Sequence, residues 1–306
     1  MLLIKIEGNW HHKNKNGFSL LNKYNIIECN VTGMINFKYA NLNKLPIVIF
    51  KHDIDMPIIN LQNINLKIFI ISGPHVDFKQ ALDFFNNYKS GPLIIYNALS
   101  PWQKNLFETY APNPLVKYIT LPFCVDVDKF KPLENIKKNN TFFIYYKNRD
   151  VNILNFIENI AKQLAGFAHI IFIYGKYNEQ TYLEHLRKSM FGIWIGCHES
   201  QGFALQEALS CNCPLFVYDV KTLKDEIMQN GHIPWNYLNG VYPATSASYF
   251  DNRCGMIINN LENFEINLKD FITKVNNGDY KPREYILENF TENSFISRLE
   301  NIITEL

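Results

Sequence analysis

Apolar positions fall along this chain in short runs that alternate with amphipathic stretches. The runs LLIKIE (2–7), YNIIECNV (24–31), LPIVIFKH (45–52), LKIFIIS (66–72) and GPLIIYNA (91–98) are rich in β-branched residues and bounded by Gly, Pro, Asn or Ser. That pattern predicts strands. Between them, FKQALDFFNNY (78–88) and SPWQKNLFETY (100–110) repeat apolar positions at helical spacing. Ser100 is a predicted N-cap and Pro101 the first helical residue. Strand–helix alternation of this kind predicts an open, largely parallel sheet covered on both faces.

The alternation pauses over residues 111–140, where four prolines and a polar close predict an inter-domain connection. It then resumes with strand 141–147, helix 151–166, strand 168–175, helix 179–190, strand 191–197, helix 202–211 and strand 214–219. That is a second doubly wound α/β unit. ENFTENSFISRLENIITEL (288–306) predicts a closing helix, with Thr291 and Ser294 as caps. The division expected is an N-terminal domain over 1–122, a C-terminal domain over 123–287, and a final helix over 288–306. Two such domains set a cleft against the carboxyl ends of two parallel sheets, where open α/β sheets bind ligands.

Composition narrows the classes. With 306 residues, 47% hydrophobic, the chain is long enough for two cores. Thirty basic against 29 acidic residues leave a net charge of +1, without the basic excess of a nucleic-acid binder. Three of the six cysteines sit in or beside apolar runs, which suits reduced thiols and a cytoplasmic protein. Lys5 and Glu7 interrupt the apolar start, so it predicts neither a signal peptide nor a membrane span. SPWQKNLFETY has no basic face for a membrane surface, so membrane contact has no support from it.

The chemistry concentrates in GCHESQGFALQEALSCNCPLFVYD (196–219). Glu199 falls on a strand-to-helix loop at the sheet's carboxyl edge. Glu207 lies five residues beyond Gly202, roughly 7.5 Å along the helix axis at 1.5 Å per residue. A helix start offers backbone N–H groups and partial positive charge to a phosphate, and Gly202 opens the backbone to it. Carboxylates accept hydrogen bonds from sugar hydroxyls. A solvated helix with two glutamates is the plainer reading, but Ala204, Leu205, Ala208 and Leu209 around Glu207 speak against it. His11–His12 and Cys211-x-Cys213 lack the partners of a zinc site, so no metal is expected.

ESQGFALQEALSCNCP resembles the Glu–seven residues–Glu signature of the retaining, family 4-like glycosyltransferases of GT-B architecture. Glu199, Gly202, Glu207-Ala208 and Pro214 match its wording. Asn212 stands where that wording has glycine, and Ser200-Gln201 replaces Gly-Phe, at a step that could set sugar choice. LPFCVDVDKFKP (121–132) resembles the family's domain-junction segment at Pro122, Val125, Asp126, Phe130 and Pro132. The end of the chain resembles the family's last helix, which crosses back onto the first domain.

The resemblance implies two Rossmann-like domains facing across a cleft. It assigns Glu199 to the donor sugar and Glu207 to the nucleotide ribose, with backbone amides near Gly202, Phe203 and Ala204 on phosphate and hydroxyls. Lys147 and Arg149, in YYKNRD, fill the place of the basic pair that neutralises the diphosphate. His75 stands near the donor sugar, Gly8 on the first loop, and Tyr177 where the base stacks. The activity implied is transfer from a UDP-, GDP- or ADP-linked sugar to a hydroxyl of a glycan, lipid or protein, with retention and without cofactor or metal. A nucleotide-sugar epimerase-like enzyme and an inactive nucleotide-sugar-binding subunit are the alternatives.

Overall fold

The computed structural model describes residues 3–7, 13, 25–29, 47–51, 68–73, 78–90, 93–166, 168–226 and 242–305, with strands 3–7, 25–29, 47–51 and 68–72 given by their backbone. By contacts the chain divides into two units. One holds Met1–Cys124 and Glu292–Leu306, the other Val125–Thr291.

The first unit carries a six-stranded parallel sheet. Its strands are β1 (Leu3–Glu7), β2 (Asn25–Cys29), β3 (Ile47–Lys51), β4 (Ile68–Ser72), β5 (Ile94–Asn97) and β6 (Val116–Ile119), in the order β2-β1-β3-β4-β5-β6. Helices α1 (Phe78–Asn87) and α2 (Pro101–Tyr110) follow β4 and β5. Ser100 precedes α2 in extended conformation, and Pro101 opens the helix without a side-chain cap bond from Ser100. Phe85 of α1 and Phe107 of α2 form an aromatic cluster with Tyr96 of β5 and Tyr118 of β6, in which Phe85 meets Phe107 and Tyr118 edge to face. β6 lies inside the stretch expected to be a connection. Prolines flank it, but Lys117 and the residues beside it pair in register with β5.

The second unit carries five parallel strands: β7 (Asn139–Tyr146), β8 (Ala168–Ile173), β9 (Ser189–Ile195), β10 (Leu215–Tyr218) and β11 (Gly255–Ile258). Their order is β8-β7-β9-β10-β11. β7 shows why. Phe143 and Tyr145 enter one core with α4 (Glu179–Lys188), α5 (Phe203–Ser210) and α7 (Pro282–Asn289). Phe142 and Ile144 enter the other, with α3 (Val151–Ala165) and α6 (Phe264–Asn277). A strand buried on both faces reads as a continuous apolar run. Gly192 on β9 is required by this packing, because a Cβ there would meet the Phe143 ring at 2.2 Å.

Caps fix the helices around the sheet. The Asp150 side chain accepts from Asn152 N–H at the start of α3, and Asn178 accepts from Gln180 and Thr181 at the start of α4. The chain's end differs from the single helix expected. α7 closes at Asn289, and α8 (Glu292–Thr304) begins anew and belongs to the first unit, where Phe295 stacks on Phe123.

Candidate donor-binding site at the sheet switch point

In the second unit the strand order reverses between β7 and β9: the chain leaves β7 for β8 on one side, then crosses to β9 on the other. The crevice outside the carboxyl ends of two such strands is where open α/β sheets bind ligands. Lys147 follows β7 directly, and its N–H bonds Ile195 O at the end of β9 at 3.0 Å. Lys147 Nζ donates to Glu199 Oε1 at 2.7 Å, and both side chains are mostly covered, at 13% and 17% exposure. Burial works against the ammonium, but the Glu199 carboxylate outweighs it and holds the lysine above its ordinary range. The same ammonium lies 4.4 Å over the ring of Tyr174, which is exposed at the end of β8.

Glu199 is held by its backbone. Its N–H donates to Thr245 O at 3.0 Å and its carbonyl accepts from Ser248 Oγ at 2.5 Å. Asp219, at the end of β10, fixes that loop in turn by accepting from Thr245 Oγ1 (2.6 Å), Ser246 N–H (2.6 Å) and Ser246 Oγ (2.7 Å). A sequence pattern gives no sign of this support, since the partners lie far apart along the chain.

Gly202 caps α5 at φ +83°, the left-handed region that glycine enters without penalty. A Cβ there would find ordinary contacts at 3.6 Å or more, so the conformation, rather than a close approach, requires the glycine. Asn212, at the other end of the helix, has φ +55°. The asparagine standing for the signature's glycine thus keeps the glycine-like backbone. Gln201 is only 2% exposed and donates to Gln206 Oε1 at 2.9 Å. It packs within the loop.

Glu207 lies on α5, 4% exposed. Tyr182 beside it donates to Ala204 O at 2.8 Å and ties the first turn to α4. Tyr177 joins the two glutamates: burial pushes its phenol up to about 12 against a bond from Tyr145, and the charges of Glu207 and Glu199 push the same way as burial. Tyr145 is stacked on Trp194 at 3.8 Å, making a rigid apolar floor.

Arg149 is placed differently from the cleft cation expected. It is 5% exposed, donates from Nη1 to Gly196 O at 3.0 Å, and lies 4.7 Å over the Tyr218 ring. It braces the ends of β9 and β10. Next to Gly196, Cys197, His198 and Glu226 bring a thiol, an imidazole and a carboxylate within 4.8 Å of one another, the one such trio among the described residues. Its contacts are those of hydrogen bonding: Glu226 Oε1 takes both His198 N–H groups, main chain at 2.5 Å and ring Nδ1. Burial pushes the Cys197 thiol up while Lys147 beside it pulls down, and that ammonium opposes a divalent ion here.

Comparison with known proteins bears on the fold. No family model matches the chain, and no curated protein sequence does. Solved structures do match. Sucrose-phosphate synthase from Thermosynechococcus elongatus superposes with a TM-score of 0.56 at 8% identity, over 100% of this chain and 99% of that one. The lipopolysaccharide outer core galactosyltransferase WaaB, in its apo form, gives 0.51 at 11% identity over 100% of both chains. The fold is that of the GT-B glycosyltransferases. The pneumococcal O-GlcNAc transferase GtfA, solved with UDP and GlcNAc, gives 0.52 at 12% identity over 85% of this chain; the chain spans 57% of its length.

Within this GT-B fold, the structure brings Lys147, Glu199, Gly202, Phe203, Ala204, Glu207 and Tyr177 to one edge of one sheet. Gly8 and His75, like His11 and His12, lie outside the described residues. His198, Asp219 and Glu226 escaped sequence reading. The sole available signal was that His198 adjoins Glu199 on the loop. Among the described residues no helix is long and apolar enough to cross a membrane.

Proposed function

We propose that the protein transfers a sugar from a nucleotide-sugar donor to a hydroxyl acceptor, with retention and without a bound metal. The observation that carries this reading is the Lys147–Glu199 ion pair at the β7/β9 switch point, one loop away from a helix start and from buried Glu207. A diphosphate competes with Glu199 for the ammonium, so donor binding releases a carboxylate to accept from sugar hydroxyls. Glu207 accepts from the ribose, and the N–H groups of Phe203 and Ala204 meet phosphate at the start of α5. GtfA, solved with UDP and GlcNAc, supports a UDP-linked donor among the UDP, GDP and ADP possibilities, and WaaB, a galactosyltransferase, supports glycosyl transfer.

The acceptor hydroxyl then attacks the anomeric carbon on the face the diphosphate leaves. The new C–O bond forms, the old one breaks with its electron pair on phosphate, and the hydroxyl proton passes to that phosphate. Lys147 and the helix start stabilise the departing charge. Glu199 and Glu207 bind and orient; they are not an acid/base pair. Arg149 holds Gly196, and so the loop, from behind.

The test is a thermal-shift screen of nucleotide sugars followed by NMR of the product's anomeric configuration with a panel of glycan, lipid and peptide acceptors. Binding raises stability as RT ln(1 + [L]/Kd), so a donor stands out. An inverted product overturns retention. Consumption of the donor at the same rate with and without acceptor overturns transfer and favours an epimerase-like reaction.

A further inference from the structure

Asp219 follows β10 directly and is 9% exposed. Its Oδ1 accepts from the N–H groups of Val220 (2.9 Å) and Ser246 (2.6 Å) and from Ser246 Oγ (2.7 Å), and its Oδ2 accepts from Thr245 Oγ1 (2.6 Å). Apart from the Val220 N–H, these donors all belong to one loop. That loop is aligned along the chain after β10 by further bonds, Ala244 N–H to Lys221 O at 3.1 Å and Leu223 N–H to Tyr242 O at 3.1 Å. The same loop holds Glu199, whose N–H donates to Thr245 O at 3.0 Å and whose carbonyl accepts from Ser248 Oγ at 2.5 Å. Contacts thus run from the carboxylate after β10, through Thr245–Ser248, to the residue that pairs with Lys147. Bonds to an ionised acceptor are shorter and about twice as strong as neutral ones, so this carboxylate is a firm anchor for the loop.

We propose that Asp219 is a positioning residue of the donor site: through Thr245–Ser248 it sets where Glu199 stands, and with it the hold on the donor sugar, while the nucleotide half is left alone. This rests on the reading of the switch point as a donor site. In the unbound protein the Lys147 ammonium also fixes the Glu199 carboxylate. Once a diphosphate draws that ammonium away, a side chain with several rotatable bonds has to be aimed from its backbone. That backbone is clamped at both its N–H and its C=O by the loop that Asp219 anchors. Hydroxyl recognition needs its acceptor placed within about 0.5 Å, which a rigid supporting contact supplies and a loose loop does not. Glu207 and the start of α5 are held otherwise, by the helix itself and by Tyr182 on Ala204 O.

Two measurements on the full chain test this, with Asp219→Asn and with Thr245→Val. Both nearly keep side-chain volume; one removes the charge, the other only a hydroxyl that bonds to it. The first measurement needs no ligand. Urea unfolding of wild type, Lys147→Met, Glu199→Gln and the double variant gives the coupling between Lys147 and Glu199, and the cycle is repeated with Asp219→Asn present. The coupling is expected to fall by about half or more, because the two charged heads no longer meet in one geometry. Unchanged coupling overturns the assignment; should Asp219→Asn fail to fold, Thr245→Val takes its place in the cycle with the same expected result.

The second measurement is calorimetry with UDP, GDP and ADP and with UDP-glucose, GDP-mannose and ADP-glucose. For the conjugate that wild type binds most tightly, Asp219→Asn is expected to raise Kd about tenfold, and to leave that of the free nucleotide within about twofold. Equal changes for the two, as a general fold defect gives, overturn the assignment while the donor-site reading stands. With Glu199→Gln already present, the extra loss caused by Asp219→Asn is expected to vanish. A loss that persists there shows Asp219 acting other than through Glu199 and overturns the assignment as well. Wild type that binds none of these ligands ends the donor-site reading and the assignment with it, whatever the coupling shows.

Discussion

Lys147 and Glu199 each make the other tolerable in a site with little water. Replacing Lys147 with Met strands the Glu199 carboxylate, a loss of about 2 to 3 kcal/mol, below the figure for fully buried pairs because both heads keep some solvent. The pH dependence has a definite sign. A lysine that holds its proton more tightly when folded contributes in full below its unfolded pKa of about 10.4, and loses that contribution only as pH climbs through the higher folded value. The stability difference between wild type and Lys147→Met, measured by urea unfolding, is therefore expected to stay flat from pH 6 to 9. Adding Glu199→Gln should restore part of it; no restoration would mean that the two side chains are not coupled. Glu207→Gln is an independent check on the same wall. It removes a charged acceptor from the proposed ribose contact, so nucleotide affinity is expected to fall about ten- to a hundredfold, with the unbound protein folded. Unchanged calorimetric affinity for UDP, GDP and ADP would end that assignment.

At the scale of elements, α5 depends on two left-handed residues, one at each end. Gly202→Ala meets no steric barrier, since the added Cβ has its nearest neighbours at 3.6 Å or more, yet it must adopt φ +83°. The cost is about 1 to 2 kcal/mol of stability, whereas Asn212→Gly is expected to be neutral or slightly stabilising. Thermal unfolding of the two variants checks this, and equal losses would show that something other than backbone conformation governs the helix ends. These ends were legible as residue types, because Gly202 and Asn212 stand where the signature has glycine. So were the strands of the second unit up to β10, whose unbroken apolar runs could belong only to a sheet covered on both sides. β6 was missed because four residues between prolines carry too little pattern, and only pairing with β5 makes them a strand. The ion pair was not legible either. Lys147 and Glu199 are 52 residues apart, and it is the β7–β9 pairing that brings the ends of their strands together. Asp219, Arg149 and Glu226 support the site through backbone carbonyls, hydroxyls and N–H groups, partners that leave no trace in a motif.

Across the whole molecule, the chain passes between its two units at Cys124/Val125 and again at Thr291/Glu292. The second unit is thus one continuous segment, while the first is assembled from both ends of the chain. α8 supplies Phe295 and Leu299, 2% and 0% exposed, to that first unit. A polypeptide of residues 1–124 lacks those side chains and leaves their apolar partners, Phe123 among them, open to water. It is expected to aggregate, and fusing 292–306 to it should restore solubility, because burying each large side chain contributes about 1.5 to 3 kcal/mol. Residues 125–291 alone retain both faces of their sheet, and Lys147, Glu199, Glu207 and Asp219 with them. They are expected to unfold cooperatively and to bind the same nucleoside diphosphate as the full chain, within about threefold in Kd, or some 0.7 kcal/mol. Transfer should be absent, since the acceptor side expected in the first unit is missing. Calorimetry on the 125–291 polypeptide decides the matter. A folded segment that fails to bind the nucleotide would mean that the donor site is not contained in the second unit, and the roles proposed for these residues would have to be reassigned.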